Sequence, residues 1–193
     1  LRAAWGWAIE QGQYGRIEQM MGGLHTFCIE RAVAEGDALF EQAAKALQGA
    51  IVGQAEPGTQ AKWLCGKLLW RWAAFHYRQR GAYEQSEALV RQSIALLRPS
   101  PHAPELAMAL CTLGTVLRDL GRCVEARQAT QEGVALLRQR GSPYQLTRSL
   151  TMLAGIMATM KEYAAARQLL QESLTLCREW DNQIGLADSL ANL

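Results

Sequence analysis

The stretch Gly121–Gln139, GRCVEARQATQEGVALLRQ, decides the fold because the chain repeats it. Forty residues later, Lys161–Glu179 reads KEYAAARQLLQESLTLCRE and is identical at seven of nineteen positions. Forty residues earlier, Gly81–Arg98 reads GAYEQSEALVRQSIALLR and keeps the glycine, an alanine, two leucines and the arginine in register. Self-similarity at a fixed period is typical of stacked-repeat proteins. The sequence therefore predicts an all-α chain of stacked helix hairpins.

The repeat becomes regular at residue 61. From there, the apolar spacing predicts three helix pairs and an opening fourth helix capped by Asp181 or Asn182. We expect an atypical helical part with a degenerate repeat (1–60), then three repeats plus a truncated fourth (61–193), as one continuous solenoid cut from a larger protein. The predicted helices are Leu1–Gln11, Tyr14–Arg31, Ala34–Gly49, Lys62–Arg80, Tyr83–Arg98, Ala103–Leu120, Cys123–Gln139, Pro143–Met160 and Tyr163–Glu179.

Small residues recur at fixed points of the helix pairs. In the second pair they are Gly114 in the first helix, and Ala126 and Gly133 in the second. Small side chains at such points allow two helices to approach closely. Gly121 lies between the helices, where a tight turn requires positive φ, whereas the third copy has Lys161 there.

Further glycines lie within a predicted helix, and a glycine and a proline mark a predicted helix boundary. Gly22 and Gly23 lower the intrinsic stability of the second predicted helix, so we expect them to permit close packing against a neighbour. The sequence Gly141-Ser142-Pro143 predicts a C-terminal glycine, a capping serine and a proline in the first helical position.

Composition excludes several classes of protein. With 49% hydrophobic and 20% charged residues, the chain is not disordered, and a net charge of +2 predicts neither nucleic-acid binding nor attachment to an anionic membrane. No apolar run approaches the length of a membrane span. The five cysteines are scattered and odd in number, which is typical of reduced thiols in a cytoplasmic protein.

The repeated positions resemble the tetratricopeptide repeat (TPR). That resemblance implies a right-handed superhelix whose inner, concave surface is lined by the first helix of each pair, helix A. The period of forty exceeds the usual 34, as in the long repeats of kinesin light chains and of bacterial STAND-type signalling ATPases. The residues that carry the resemblance are Leu110, Leu113, Gly114, Leu117, Gly121, Ala126 and Gly133, with Tyr83 and Tyr163 after the turns.

The opening LRAAWGWA is similar to the motif that begins the superhelical arm of STAND-type transcriptional regulators. Leu1, Arg2, Ala3, Ala4, Trp7 and Ala8 match its shape. In that family the arm senses a partner or effector and controls an ATPase. The chain itself contains no GxxxxGK[ST] motif, so the resemblance implies that any nucleotide chemistry belongs to other parts of a parent protein.

Helix-A positions outside the repeat core are the candidate binding residues. Arginines among them predict a basic patch for a carboxylate or phosphate; the alternative is that they are solvated or pair with Asp119 and Glu105. Trp72 and Phe75 are either groove residues or packing residues. The candidate ligand- or partner-binding residues are Arg71, Trp72, Phe75, Arg78, Met108, Cys111, Thr115, Arg118, Arg148 and Thr151.

No pattern indicates catalysis, a cofactor or a metal. His25, His76 and His102 have no partner at metal-ligand spacing, and no nucleophile has a local base and orienting acid. We therefore expect a non-catalytic interaction or sensor module that binds a protein, a peptide or other domains of its parent. The alternatives are a small-effector receptor with an arginine–aromatic pocket, and an oligomerisation scaffold that dimerises through the leucines of residues 186–193.

Overall fold

A computed structural model describes residues 2–52, 59–78, 82–99, 103–180, 185–186 and 189–190. Over these residues the chain is all-α, which confirms the predicted fold class. It forms two compact units, Leu1–Ser100 (unit 1) and Pro101–Leu193 (unit 2). The boundary at residue 100 reflects how the helices pack. The predicted boundary at residue 60 marks where the repeat becomes regular, and it stays a prediction. None of the described helices is both long and apolar enough to cross a bilayer.

Unit 1 contains five helices in its described residues. Helix α3 packs against both α2 and α4, and α4 pairs with α5. This is the arrangement expected if α3 is the second helix, helix B, of a degenerate repeat. The helices are α1 (Arg2–Glu10), α2 (Tyr14–Arg31), α3 (Val33–Val52), α4 (Thr59–Arg78) and α5 (Tyr83–Leu97).

The core of unit 1 is aromatic and lies among α1–α4. Phe40 and Phe75 are fully buried, with ring centroids 5.3 Å apart. The His25 ring meets both of them edge-on, at 5.8 Å and 5.4 Å. Gly36 makes room for this cluster, because a Cβ there would lie 2.3 Å from the Phe75 ring. Helix α3 can therefore approach α4 only with glycine at this position.

Within residues 103–180, unit 2 contains two antiparallel hairpins, α6–α7 and α8–α9. The helix-A members α6 and α8 pack against each other, and α7 also packs against α8. The helices are α6 (Ala103–Asp119), α7 (Cys123–Arg140), α8 (Pro143–Thr159) and α9 (Tyr163–Glu179). Every predicted helix between residues 103 and 180 is thereby confirmed to within one residue at each end.

Small residues bring α6 and α7 together, as the repeat predicts. A Cβ on Gly114 would lie 1.8 Å from Thr130 Oγ1 and 2.9 Å from the Ala126 carbonyl oxygen. A Cβ on Gly133 would lie 2.7 Å from Cys111 Sγ. Neither glycine can be replaced without separating the helices.

In unit 1, serines are the small residues that allow the paired helices to approach closely, and they also form hydrogen bonds. Ser86 is fully buried and donates to the Ala73 carbonyl at 2.9 Å. Ser93 is also buried and donates to the Gly66 carbonyl at 2.7 Å. Each hydroxyl therefore links helix B to the backbone of helix A without leaving a buried donor unsatisfied.

The turns between the paired helices share one backbone shape in unit 2. Gly121 has φ 77° and Lys161 has φ 63°, so the lysine adopts the left-handed conformation predicted for the glycine. That conformation is strained for a residue with a Cβ. The corresponding Gly81 lies outside the described residues.

Capping is confirmed at α8. The Ser142 hydroxyl accepts from the Gln145 backbone N–H and the Gln145 side chain accepts from the Ser142 N–H, which completes a capping box before Pro143. Gly141 ends α7 in an extended conformation, φ −84°, rather than the left-handed one typical of C-terminal glycines. A side chain at position 141 would have no room, since its Cβ would lie 2.7 Å from the Leu137 carbonyl oxygen.

The prediction for Gly22 and Gly23 is wrong. Both lie exposed in α2, and a Cβ on either would have no described atom within 4 Å. The positive-φ Gly12 after α1 does end that helix as expected. The predicted caps of the fourth helix A, Asp181 and Asn182, lie outside the described residues.

Candidate functional site

The helix-A candidates of unit 1 lie on α4. Arg71 is half-buried, with its guanidinium carbon 4.1 Å from the Trp70 ring centroid. Its Nη1 donates to the Lys67 carbonyl at 3.0 Å. Stacking on an indole and a backbone hydrogen bond hold this guanidinium against α4. Arg78 ends α4, and its side chain lies outside the described part of the structure.

Trp72 and Phe75 are packing residues, which corrects their assignment to a ligand surface. Trp72 is 9% exposed, and its Nε1 donates to Asp37 Oδ1 at 2.7 Å. Phe75 is fully buried against Phe40 and His25. Helix α3 covers both side chains, and so the aromatic half of the small-effector pocket is already filled by the chain.

Burial also corrects two candidates on α6. Met108 is 7% exposed and Cys111 is fully buried. Burial raises the pKa of the Cys111 thiol to about 11, while the neighbouring Ser149 hydroxyl and the charge of Arg148 oppose that shift. At neutral pH the thiol stays protonated and serves as a small apolar group against Gly133.

The remaining candidates of unit 2 stay partly exposed on α6 and α8. We call them the helix-A face of unit 2: Thr115, Arg118, Arg148, Thr151 and Gly155. The Thr115 hydroxyl donates to the Cys111 carbonyl at 3.2 Å, and the Thr151 hydroxyl donates to the Thr147 carbonyl at 3.1 Å. Because these protons are committed to the backbone, each threonine oxygen can offer a partner only its acceptor capacity.

Arg118 joins the two helices of this face. Its Nη1 lies 3.4 Å from the position that a Cβ on Gly155 of α8 would occupy. Its Nε donates to Asp119 Oδ1 at 2.7 Å, which confirms the alternative that this arginine pairs with a local acid. The Arg118 guanidinium therefore lies against α8 at Gly155.

The helix-A face of unit 2 combines positive charge with neutral polar groups. It offers the charged donors of Arg118 and the exposed Arg148 next to neutral oxygens, which suits a carboxylate-bearing partner. In the described residues no group of three or more His, Cys, Asp or Glu side chains is placed to hold a metal ion. The repeat register places Gly155 level with Thr115 on the inner face, but it did not indicate that the Arg118 guanidinium lies against this glycine.

Comparisons with known proteins place this geometry in a family. Sequence models of the tetratricopeptide repeat match residues 66–139 and 146–179. No curated protein sequence matches the chain.

Two solved structures share the fold. One is a P. anserina protein with nearly identical, kinesin-light-chain TPR-like repeats: it is 16% identical, with a TM-score of 0.64 over 93% of this chain and 84% of that chain. The other is BtubC (BKLC) from P. vanneervenii, 12% identical, with a TM-score of 0.52 over 94% of this chain and 91% of that chain. The two segments matched by the repeat models together exceed half of the 193 residues. The chain therefore belongs to the tetratricopeptide-repeat proteins.

Proposed function

We propose that the chain is a non-catalytic protein-interaction and sensor module that binds a partner peptide on the helix-A face of unit 2. Tetratricopeptide repeats generally mediate protein–protein interaction, which supports the class of function. The observation that carries the choice of surface is the position of Arg118 against Gly155, on the two helices that also present the partly exposed Thr115 and Thr151.

The chemistry of the face favours a peptide with a carboxylate. A partner carboxylate would compete with Asp119 for the Arg118 guanidinium. Arg148 is exposed on α8 and adds a second positive charge to the same face. An acidic side chain or a C-terminal carboxylate fits this combination, whereas a polycation is repelled by it.

A displayed random-peptide library tests the proposal. Peptides selected on the folded chain are expected to carry Asp, Glu or a free C-terminus, and calorimetry is expected to show about 10–100-fold weaker binding to Arg118→Ala, the loss of a charged hydrogen bond. Arg140→Ala is the matched control, because it removes an exposed arginine from the end of α7. Peptides that bind Arg118→Ala as tightly as the unmodified chain would refute this choice of face.

We also propose that the module belongs to a larger signalling or transcriptional regulator of the STAND type. The LRAAWGWA opening is the support for this context. The test is the gene itself: a nucleotide-binding domain with a GxxxxGK[ST] motif is expected upstream of Leu1. A parent reading frame without such a domain would exclude the STAND context and leave the peptide-binding proposal intact.

A self-association role rests on the C-terminal leucines. Leu190 is 55% exposed and Leu186 is half-buried, so an apolar surface is present at the end of the described residues. If this surface drives dimerisation, Leu190→Glu will convert a dimer to a monomer in sedimentation experiments. A dimer that survives this substitution would rule out a scaffold built on Leu190.

A further inference from the structure

Two ion pairs link α7 to α9 along the helix-B side of unit 2. Arg127 Nη1 lies 3.0 Å from Glu162 Oε1, and Arg138 Nη2 lies 2.7 Å from Glu172 Oε2. The two arginines are eleven residues apart on α7, a rise of about 16 Å, and the two glutamates are ten residues apart on α9, about 15 Å. One helix therefore holds the next through two arginines that match two glutamates in spacing.

Helix α9 carries the same pair of arginines. Forty residues after Arg127 and Arg138, the chain has Arg167 and Arg178, which are also eleven residues apart. Eleven residues make about three helical turns, so both arginines lie on one side of α9, opposite to the side on which Glu162 faces α7. Both are exposed, and neither pairs with an acidic side chain anywhere in the described ranges. Helix α9 therefore repeats the cationic side of α7 without a described helix against it.

An exposed leucine follows α9 in the same register. The segment that contains it is docked, because Ser189 is fully buried and its hydroxyl lies 2.8 Å from the Ser173 hydroxyl of α9. The next residue, Leu190, is 55% exposed, whereas Leu150, its counterpart forty residues earlier, is fully buried. Leu150 belongs to a core cluster that includes Leu170 of α9. No described helix covers Leu190 in the way that α9 covers Leu150.

The internal repeat defines the helix that would complete this surface. Helix α9 both covers Leu150 and bonds to the two arginines of α7, so one helix in the equivalent position would reach Leu190 and both α9 arginines together. We propose that Arg167, Arg178 and Leu190, the α9 edge, bind an amphipathic helix of another protein that carries two carboxylates ten residues apart and a leucine between them. This site lies on helix B and does not depend on the helix-A face.

The charges of the α9 edge select a separate protein over a second copy of this chain. In a second copy, Glu162 and Glu172 are already bonded to Arg127 and Arg138. Two α9 edges brought together would place arginines against arginines, which repel each other. The occupant is therefore a partner whose acidic helix is available for binding.

A peptide copy of α9 tests the edge. The fluorescein-labelled peptide contains residues 162–179 with Cys177→Ser, which prevents disulfide formation, and its binding to the folded chain is followed by fluorescence anisotropy. It is expected to bind saturably. The same peptide with Glu162→Gln and Glu172→Gln is expected to bind about fivefold more weakly, because two ion pairs are lost.

Charge reversal on the chain identifies the surface that the peptide contacts. Arg167→Glu combined with Arg178→Glu is expected to weaken binding about tenfold, since attraction is replaced by repulsion, and to gain affinity for a peptide with arginine at both glutamate positions. Arg31→Glu combined with Arg140→Glu is the matched control. It changes the net charge equally, at exposed positions of α2 and α7, and is expected to leave the affinity within about twofold of the unmodified chain.

Each other result would overturn the proposal. These results are no binding of the α9 peptide, equal binding of the glutamine peptide, or an equal loss of affinity in the control variant. Loss of binding in Arg118→Ala would assign the peptide to the helix-A face instead. Sedimentation decides about a second copy, because a dimer that the α9 peptide does not dissociate would make that copy the occupant of the edge.

Discussion

Replacing Gly114 by alanine tests the packing of α6 against α7. The new Cβ would lie 1.8 Å from Thr130 Oγ1 and 2.9 Å from the Ala126 carbonyl oxygen. Thr130 is fully buried and its hydroxyl donates to that same carbonyl at 2.9 Å, so it cannot rotate away without losing this bond. The second obstacle is backbone and can move only with the whole of α7.

The expected magnitude follows from two opposing effects. Alanine favours the helix over glycine by about 1 kcal/mol. Overpacking a well-packed interface costs about 1–3 kcal/mol, and a separation this short against a backbone atom belongs at the upper end. We therefore expect Gly114→Ala to lower the free energy of unfolding by about 2 kcal/mol.

Urea unfolding followed by circular dichroism measures this difference, with two glycine controls. Gly155→Ala in the same unit would place its Cβ 3.4 Å from the flexible end of Arg118, and Gly22→Ala would meet no described atom within 4 Å. Both controls are expected to raise stability by up to about 1 kcal/mol through helix propensity. If Gly114→Ala were as stable as either control, the close approach of α6 and α7 would be refuted.

Three further predictions concern a buried hydrogen bond, the turn conformation and the dependence of stability on pH. Ser86→Ala removes the buried hydrogen bond to Ala73 and is expected to cost about 1 kcal/mol in urea unfolding; an unchanged midpoint would show that this bond contributes nothing. Gly121→Ala is expected to lower the free energy of unfolding by about 1–2 kcal/mol, because alanine is strained in the left-handed conformation. Lys161→Gly relieves the same strain and is expected to raise the free energy of unfolding by about 0.5–1 kcal/mol. If both substitutions changed stability in the same direction, the shared turn conformation would be contradicted. Burial raises the pKa of Cys65 and of Cys111 from 9.0 to about 11, so the unfolded thiols ionise first and stability is expected to fall as pH rises from 9 towards 11. The urea midpoints at pH 8 and 10.5 measure this fall, and alanine at both cysteines should reduce it.

The regular repeat allowed the helices from residue 103 to 180 to be predicted closely, because apolar spacing and small residues recur there in register. The turn at Lys161 follows from the same register, since its backbone copies Gly121 despite the different side chain. The periodic part of the sequence therefore determines both helix bounds and turn shape.

The predicted site failed where packing partners come from outside the repeat pattern. Phe75 occupies an inner-face position in the register, but α3 covers it because Gly36 lets that helix approach. Residues 1–60 do not keep the period, so nothing in the register revealed this neighbour. The assignment of Cys111 to the binding surface was wrong for a related reason. Gly133 was recognisable as a small residue at a helix contact, but the sequence does not show that the Cys111 side chain fills the space beside it.

The two hairpins of unit 2 are joined by different interactions on their two sides. On the helix-B side, α7 and α9 are linked by the ion pairs Arg127–Glu162 and Arg138–Glu172, which are partly or fully exposed and are therefore screened by salt. On the helix-A side α6 and α8 pack directly. Helix α7 also packs against α8. Raising the ionic strength is therefore expected to weaken the link between α7 and α9 while the helix packing between the two hairpins remains.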